Sequence, residues 1–409
     1  MFMKILYNGI YCDKNIFSEI INKSKGAIPF AQYKVENLII EGIKNNRENI
    51  DISILSTLPI PRYPKYKKIF INNKIDKKNS FKLIYLKFIN FPVFKQITVM
   101  FSIIYNTIKW SFINNDKKEE KYVLIYGTNP VNVLPLVLLR KICKYKIITI
   151  VSEIDSLRNL KDDTIVSKIK SKIFVMVSKF LENSFDAYIL MSRYMNERIN
   201  KKNNPSIVIE GMIDENIKNI DFIPYKDRNK HIVYAGSLNK KYGIDKLVEA
   251  FNRIENMDYK LLIYGDGDYK EKLIDICKNS KNIIYKGIIS NEELFEIERN
   301  VKLLINPRPS NEILTRYSFP SKTLEYMSSG TVMLITKLKG IPEEYYKYCY
   351  YFEDETVNGF EKKISEVIHM PDEELEKMAI EAKNFAIINK NSNKQMKKLI
   401  DFIKIIGGN

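Results

Sequence analysis

VKLLINPRPSNEILTRYSFPSKTLEYMSSGTVMLIT, running from Val301 to Thr336, is the stretch from which the fold is read. Val301–Asn306 and Val332–Thr336 are short apolar runs rich in Val, Ile and Leu. Between them Ser321–Ser329 has helical character and Gly330 stops it. Strands of this length alternating with helices signal a parallel sheet built of βα units. Pro320 and Ser321 make a helix start, with Ser as the expected cap and Pro set for the first turn.

The same alternation extends in both directions. Upstream of Val301, strands are expected at His231–Ala235, Lys260–Tyr264 and Asn282–Tyr285. The intervening helices are expected at Lys241–Ile254, Tyr269–Cys277 and Glu292–Arg299. Downstream come Ile341–Tyr346 and two tail helices, Asp372–Ile388 and Asn393–Ile405. A polar stretch, Asp214–Lys230, precedes this series. Before it lies a second series, with strands at Lys4–Asn8, Ile50–Leu55, Phe81–Leu86, Tyr122–Tyr126, Lys146–Val151, Ala187–Met191 and Ser206–Ile209. Its helices are expected at Pro29–Lys44, Pro92–Trp110, Val131–Cys143, Ile165–Asn183 and Arg193–Asn200. The expected organisation is α/β: two doubly wound, Rossmann-like domains over residues 1–212 and 213–388. A last helix, residues 389–409, packs back on the first. Such sheets bind ligands in the cleft outside the carboxyl ends of their strands.

At 409 residues the chain has room for two domains, and its 45% hydrophobic content is ordinary for globular proteins. Cys12, Cys143, Cys277 and Cys349 are scattered, without a C-x-x-C pair, which points to free thiols in a reducing compartment. Only His231 and His369 could serve a histidine-centred scheme. The start, MFMKILYNGIYCDK, reads as a first strand, being too short and polar for a signal peptide. No apolar run reaches the ~18 residues of a membrane span. A cytoplasmic protein is expected.

The net charge of +17 is unevenly placed: residues 1–205 hold 35 Lys and Arg against 17 Asp and Glu, the remainder 31 against 32. Abundant Lys, Ile and Asn would follow from an AT-rich genome, but that bias should spread evenly. The asymmetry suggests attraction to an anionic surface or ligand. From Arg62 to Lys118 lysines interleave with Phe, Tyr and Ile. Two readings stand for the helix there: packing on the sheet, or docking on the inner face of the cell membrane. The basic excess follows no nucleic-acid-binding motif, so a nucleic-acid partner is not expected.

Several turns carry chemistry. Tyr-Ala-Gly236-Ser237-Leu-Asn-Lys240-Lys241-Tyr242-Gly243 ends a strand, turns on glycine and places lysines near a helix N-terminus, where amides and dipole favour an anion. Gly265-Asp266-Gly267 permits a tight turn with close backbone approach. Arg308 and Lys322 are cations beside the Pro320–Ser321 helix start, suited to phosphate oxygens. Glu325, in the second turn of that helix, can accept hydrogen bonds from ribose hydroxyls. In the first half, Gly9 follows strand one and Gly26 precedes the Pro29 helix, loops that let phosphates approach backbone amides. Glu153 and Asp155 sit at a strand's carboxyl end.

From His231 to Gly340 these parts, in this order, resemble glycosyltransferase family 4, retaining enzymes of GT-B fold. The Ser318-Phe319-Pro320-Ser321-Lys322…Glu325-Tyr326-Met327…Ser329-Gly330 string resembles the bacterial surface-polysaccharide branch. The resemblance implies that Glu325, with Leu324 beside it, contacts the ribose of a nucleoside-diphosphate sugar, UDP-sugar favoured. Tyr317 stands where the family has a first Glu that touches the transferred sugar. The backbone of Ser318–Ser321, including Phe319, would meet the diphosphate. Ser237 replaces a family Arg and Tyr242 a family Lys, so Lys240 or Lys241 and Arg308 are the expected substitutes. Gly265, Asp266, Gly267 and Ile288 would lie near the base. For Glu153 and Asp155 the resemblance implies positioning of an acceptor hydroxyl, with helix capping the equal alternative for Asp155. The implied activity is metal-independent transfer, without a cofactor, to a saccharide or polyprenyl-diphosphate-linked acceptor in capsule or lipopolysaccharide synthesis. The alternatives are a sugar-nucleotide epimerase of the same fold and a basic nucleic-acid- or membrane-binding protein without activity.

Overall fold

The computed structural model describes residues 2–78, 81–114, 119–157, 165–255 and 258–407. The chain forms two compact units, Met1–Met212 with Ser392–Asn409, and Ile213–Asn391.

The first unit is an eight-stranded sheet. Its strands are β1 (Met3–Gly9), β2 (Ile50–Ser56), β4 (Lys74–Lys78), β5 (Phe81–Tyr85), β7 (Glu120–Tyr126), β8 (Lys146–Val151), β9 (Ala187–Leu190) and β10 (Ser206–Val208). Two short strands, β3 (Phe70–Ile71) and β6 (Phe88–Ile89), pair separately and antiparallel. The order is β10-β9-β8-β7-β1-β2-β5-β4, parallel except for β4 against β5. The chain runs outward from β1 in both directions, so the winding reverses between β1 and β7, where a doubly wound sheet opens for ligands. Helices α1 (Lys14–Lys23) and α2 (Phe30–Asn45) follow β1. Helices α3 (Phe94–Ile113), α4 (Pro130–Cys143), α5 (Ile165–Leu181) and α6 (Arg193–Ile199) accompany the strands from β7 onward.

One core lies between the sheet and α2. Alternate strand residues Ile5, Tyr7, Ile52 and Ile54 meet Ile39, Ile40 and Ile43, all almost fully buried. The last helix of the chain, α14 (Ser392–Gly407), completes this layer with Met396, Leu399, Ile400 and Ile403. It lies so close to α2 that a Cβ on Gly42 would meet Met396 and the Ser392 carbonyl.

The second unit is all parallel, in the order β13-β12-β11-β14-β15-β16. These strands are β11 (Asn229–Ala235), β12 (Lys260–Tyr264), β13 (Ile283–Gly287), β14 (Val301–Asn306), β15 (Met333–Thr336) and β16 (Tyr350–Phe352). Here the winding reverses between β11 and β14. Its helices are α7 (Ile244–Arg253), α8 (Lys270–Asn279), α9 (Asn291–Arg299), α10 (Ile313–Arg316), α11 (Ser321–Ser329), α12 (Val357–Ile368) and α13 (Asp372–Asn389). Three expectations are corrected. The helix expected from Lys241 is divided by Gly243 into a short 3-10 turn and α7. The segment expected as a helix from Ile341 is a 3-10 turn, Glu343–Tyr348. Pro320, not Ser321, takes the cap position of α11. None of the four cysteines is in a disulfide. No described helix is long and apolar enough to cross a membrane.

Candidate functional site

In the second unit the winding reversal brings the end of β11 beside the end of β14, and the expected residues gather there. Backbone hydrogen bonds lace the strand-end loops together: Gly236 N–H donates to the Tyr264 carbonyl at 3.0 Å and Leu238 N–H to Asp266 at 2.9 Å. Gly265 N–H donates to Gly287 at 2.8 Å, which sets exposed Ile288 next to the Gly-Asp-Gly turn. Gly265 has φ +134°, and a Cβ there would collide with the Gly236 carbonyl oxygen. Only glycine lets these two loops touch. Gly243, at φ +78°, presses in the same way on the Pro307 carbonyl and carries the start of α7 against the loop after β14.

Arg308 emerges from that loop. It is half-buried and makes no hydrogen bond or ion pair among the described residues. Its guanidinium lies 5.4 Å from the centre of the Tyr242 ring. Burial draws its pKa below the usual value, and Tyr242 and Glu312 oppose that shift. Arginine stays charged regardless, so Arg308 is a partly desolvated cation beside the reversal point. Lys241 is exposed over the same Tyr242 ring at 5.1 Å. Ser237 is exposed, and its carbonyl accepts from the Tyr234 hydroxyl at 2.8 Å. Asp266, also exposed, pairs with Lys270 at 3.4 Å, a solvated contact of little energetic weight.

Helix α11 is anchored beside the same place, because buried Tyr326 donates to the Ile305 carbonyl at 3.4 Å. Its N-cap is Pro320, which offers the first-turn amides no side-chain acceptor; Thr323 N–H donates to the Pro320 carbonyl at 3.0 Å. Lys322 pairs with Glu325 at 2.9 Å and with Glu298 of α9 at 3.5 Å. Burial alone would lower the Lys322 pKa. The two carboxylates outweigh it and the net shift is upward, so the ammonium is firmly held. Glu298 is 2% exposed and was not anticipated as part of this group. Its signal lay in position, an acid within the inward stripe of α9.

Phe319 packs on Tyr345 with ring centres 5.3 Å apart, and Leu324 is 3% exposed. Both side chains belong to the core, which leaves only their backbone for a ligand. Tyr317 and Ser318 are half-buried on a loop whose Ser318 and Thr315 carbonyls abut Gly340. A groove of about 410 Å³ between α9 and strands β11–β13, lined by His231, Leu262 and Tyr264 among others, shares no residue with this group.

In the first unit Glu153 and Asp155 differ in exposure. Glu153 is exposed. Asp155 is 8% exposed and its carboxylate accepts from Thr128 at 2.8 Å, tying the loop after β8 to the loop after β7. Gly26 lies in the loop between α1 and α2, beside Lys65 and Pro61. Gly9 ends β1 and is packed directly against the carboxylate of Glu36, a residue of α2 that was not anticipated. Glu36 is fully buried; it accepts from Ile10 N–H and from Gln32, both at 2.7 Å. Burial pushes its carboxyl up to about 7, with the hydrogen bonds from Gln32 and Ile10 pulling the other way. Its sequence signal was its phase, since Glu36 shares the helical stripe of Ile39, Ile40 and Ile43.

Residues 216–385 match the family model for glycosyl transferases group 1. No curated protein matches the sequence. Among solved structures the chain is similar to sucrose-phosphate synthase from Thermosynechococcus elongatus, with 12% identity, 99% of each chain covered and a TM-score of 0.65. It is similar to Anabaena HepE in complex with UDP, with 13% identity, 98% of this chain and 100% of that chain covered and a TM-score of 0.61. It is also similar to the lipopolysaccharide outer core galactosyltransferase WaaB, with 16% identity, 98% and 99% covered and a TM-score of 0.60. The fold is that of the GT-B glycosyltransferases, and the match of the second unit supports glycosyl transfer.

Proposed function

We propose that this chain transfers a sugar from a nucleoside-diphosphate sugar, a UDP-sugar by preference, to a saccharide or lipid-linked saccharide in surface-polysaccharide synthesis. The observation that supports it best is the convergence at one winding reversal of Arg308, the uncapped start of α11, and the Lys322–Glu325 pair. In this reading the diphosphate takes Arg308, Lys322 and the α11 amides. Glu325 accepts from the ribose hydroxyls, and the base rests near Gly265 and Ile288.

Transfer breaks the bond between the anomeric carbon and the diphosphate oxygen and forms one to an acceptor hydroxyl oxygen. The departing diphosphate gains negative charge, and fixed cations and amides stabilise that charge more in the transition state than in the bound donor. The acceptor proton leaves with the diphosphate or passes to a base. Retention of configuration and independence of a metal are part of the proposal, both drawn from the resemblance of the second half. The UDP preference also draws on the UDP carried by the similar Anabaena structure.

Thermal-shift titration with UDP, GDP and ADP, followed by product analysis with the matching sugars, tests the reading. A nucleotide at about 100 times its dissociation constant should stabilise the protein by ~2.7 kcal/mol. If no nucleoside diphosphate moves the midpoint, donor binding is refuted. If a donor binds and epimerises without acceptor, the epimerase reading replaces this one.

A further inference from the structure

Helices α3, α4 and α5 form a continuous layer on the first unit, α3 packing on α4 and α4 on α5. Their sequences, 51 residues in all, contain eight Lys and Arg and no Asp or Glu. From Gln96 to Ile108, α3 carries no charge at all. It is apolar on two sides. Val99, Ile103 and Trp110 are buried, while Phe101, Tyr105 and Phe112, spaced to share a stripe, face outward. Phe101 is 65% exposed, Ile142 of α4 73% and Phe180 of α5 69%, and Ile173 adds to the α5 stripe. Lys109, Lys141, Lys168, Lys170, Lys172 and Lys179 lie exposed among them.

Apolar surface of this extent on a soluble unit marks a contact face. The charge pattern selects its occupant. A second copy would set lysines against lysines, and the face offers an approaching cation no carboxylate. An anionic bilayer supplies what both halves of the pattern want: headgroup phosphates for the lysines and an acyl boundary for the aromatic stripe. Because no described helix is suited to crossing a membrane, the layer would lie on the surface.

We infer that the α3–α4–α5 layer docks the chain on an anionic lipid surface. The aromatic stripes enter the headgroup boundary and the lysines meet the lipid charge. This does not depend on the transfer reaction, since none of these residues belongs to the donor group.

The test is sedimentation of the full chain with phosphatidylcholine vesicles containing about 30% phosphatidylglycerol, against vesicles of phosphatidylcholine alone. Three proteins are compared: wild type, the triple variant Phe101→Ser, Phe112→Ser, Phe180→Ser, and the triple variant Lys168→Glu, Lys170→Glu, Lys172→Glu. Wild type is expected to partition at least ~10-fold better to the anionic vesicles and to lose most of that preference at ~1 M salt, where the screening length is about 3 Å. Each variant should lose ~10-fold or more while keeping its thermal midpoint and its response to UDP, because the altered residues are exposed. Equal partitioning of wild type to both vesicles overturns the inference. So does undiminished binding by the aromatic variant, or a dimer of wild type that this variant dissolves without any vesicle binding.

Discussion

The two units share a winding plan and use it differently. In the second, the reversal point is assembled from main chain: glycine contacts between Gly265 and Gly236 and between Gly243 and Pro307, strand-end amides, and an uncapped helix start. In the first, the end of β1 is assembled around a side chain, with the buried Glu36 carboxylate gripping Ile10 N–H behind Gly9. Charge divides the same way. The first unit holds 39 Lys and Arg against 19 Asp and Glu, the second 27 against 30. A near-neutral unit with fixed amides suits one defined anion. A strongly basic unit with an acid-free helical layer suits an extended anionic surface.

Four perturbations sharpen or break this contrast. Gly265→Ala should be the most damaging, because its Cβ meets backbone and its φ is unfavourable for other residues. A loss of ~4 kcal/mol confined to the second unit is expected. Proteolysis monitored by fragment mass reads it, and equal damage to both units would break the contrast. Glu36→Gln acts on the first unit. The Glu36 pKa is raised to about 7 from 4.5, so the native state holds a proton that the unfolded chain has released between those values. Stability should therefore fall as pH rises from 4.5 to 7, by up to ~3 kcal/mol. Urea unfolding of the Gln variant across pH 5–8 should show a shallower decline, and parallel curves would refute the assignment. Arg308→Ala should reduce kcat/KM for the donor about 100-fold, ~2.7 kcal/mol, with the vesicle preference intact. A change under threefold would remove Arg308 from the donor group. Asp266→Ala breaks only a solvated pair and should change stability by less than ~0.5 kcal/mol in chemical denaturation.

Much of this is legible in the sequence. Lys260–Tyr264, Val301–Asn306 and Ser321–Ser329 coincide with observed elements because apolar runs bounded by Gly, Pro and Ser leave little choice. The short pieces β3, β4, β6, α10 and β16 were not legible, being too brief for a periodic signal. Helix α12 was missed, although Thr356 caps it by accepting from Gly359 N–H at 3.1 Å. At the site, the cations and glycines were visible as residue types. Glu36 and Glu298 were not, since a lone acid within an apolar stripe shows its burial only when the helix has a sheet or a neighbour to face. The outward apolar stripes of α4 and α5 were hidden for the converse reason. Periodicity finds a stripe without saying whether protein covers it.

The placement of α14 sets an order of assembly on the ribosome. Met396, Leu399, Ile400 and Ile403 close the layer over α2, yet they are made after the whole second unit. The second unit is complete by Asn391. So the part encoded later can finish folding first, while the part encoded first waits with Ile39, Ile40 and Ile43 uncovered. Emergence of residues 392–409 from the exit tunnel then becomes the step that seals the older half. A released chain truncated after Asn391 should yield a protease-resistant second unit and a digestible first one, and equal protection of both would contradict this order.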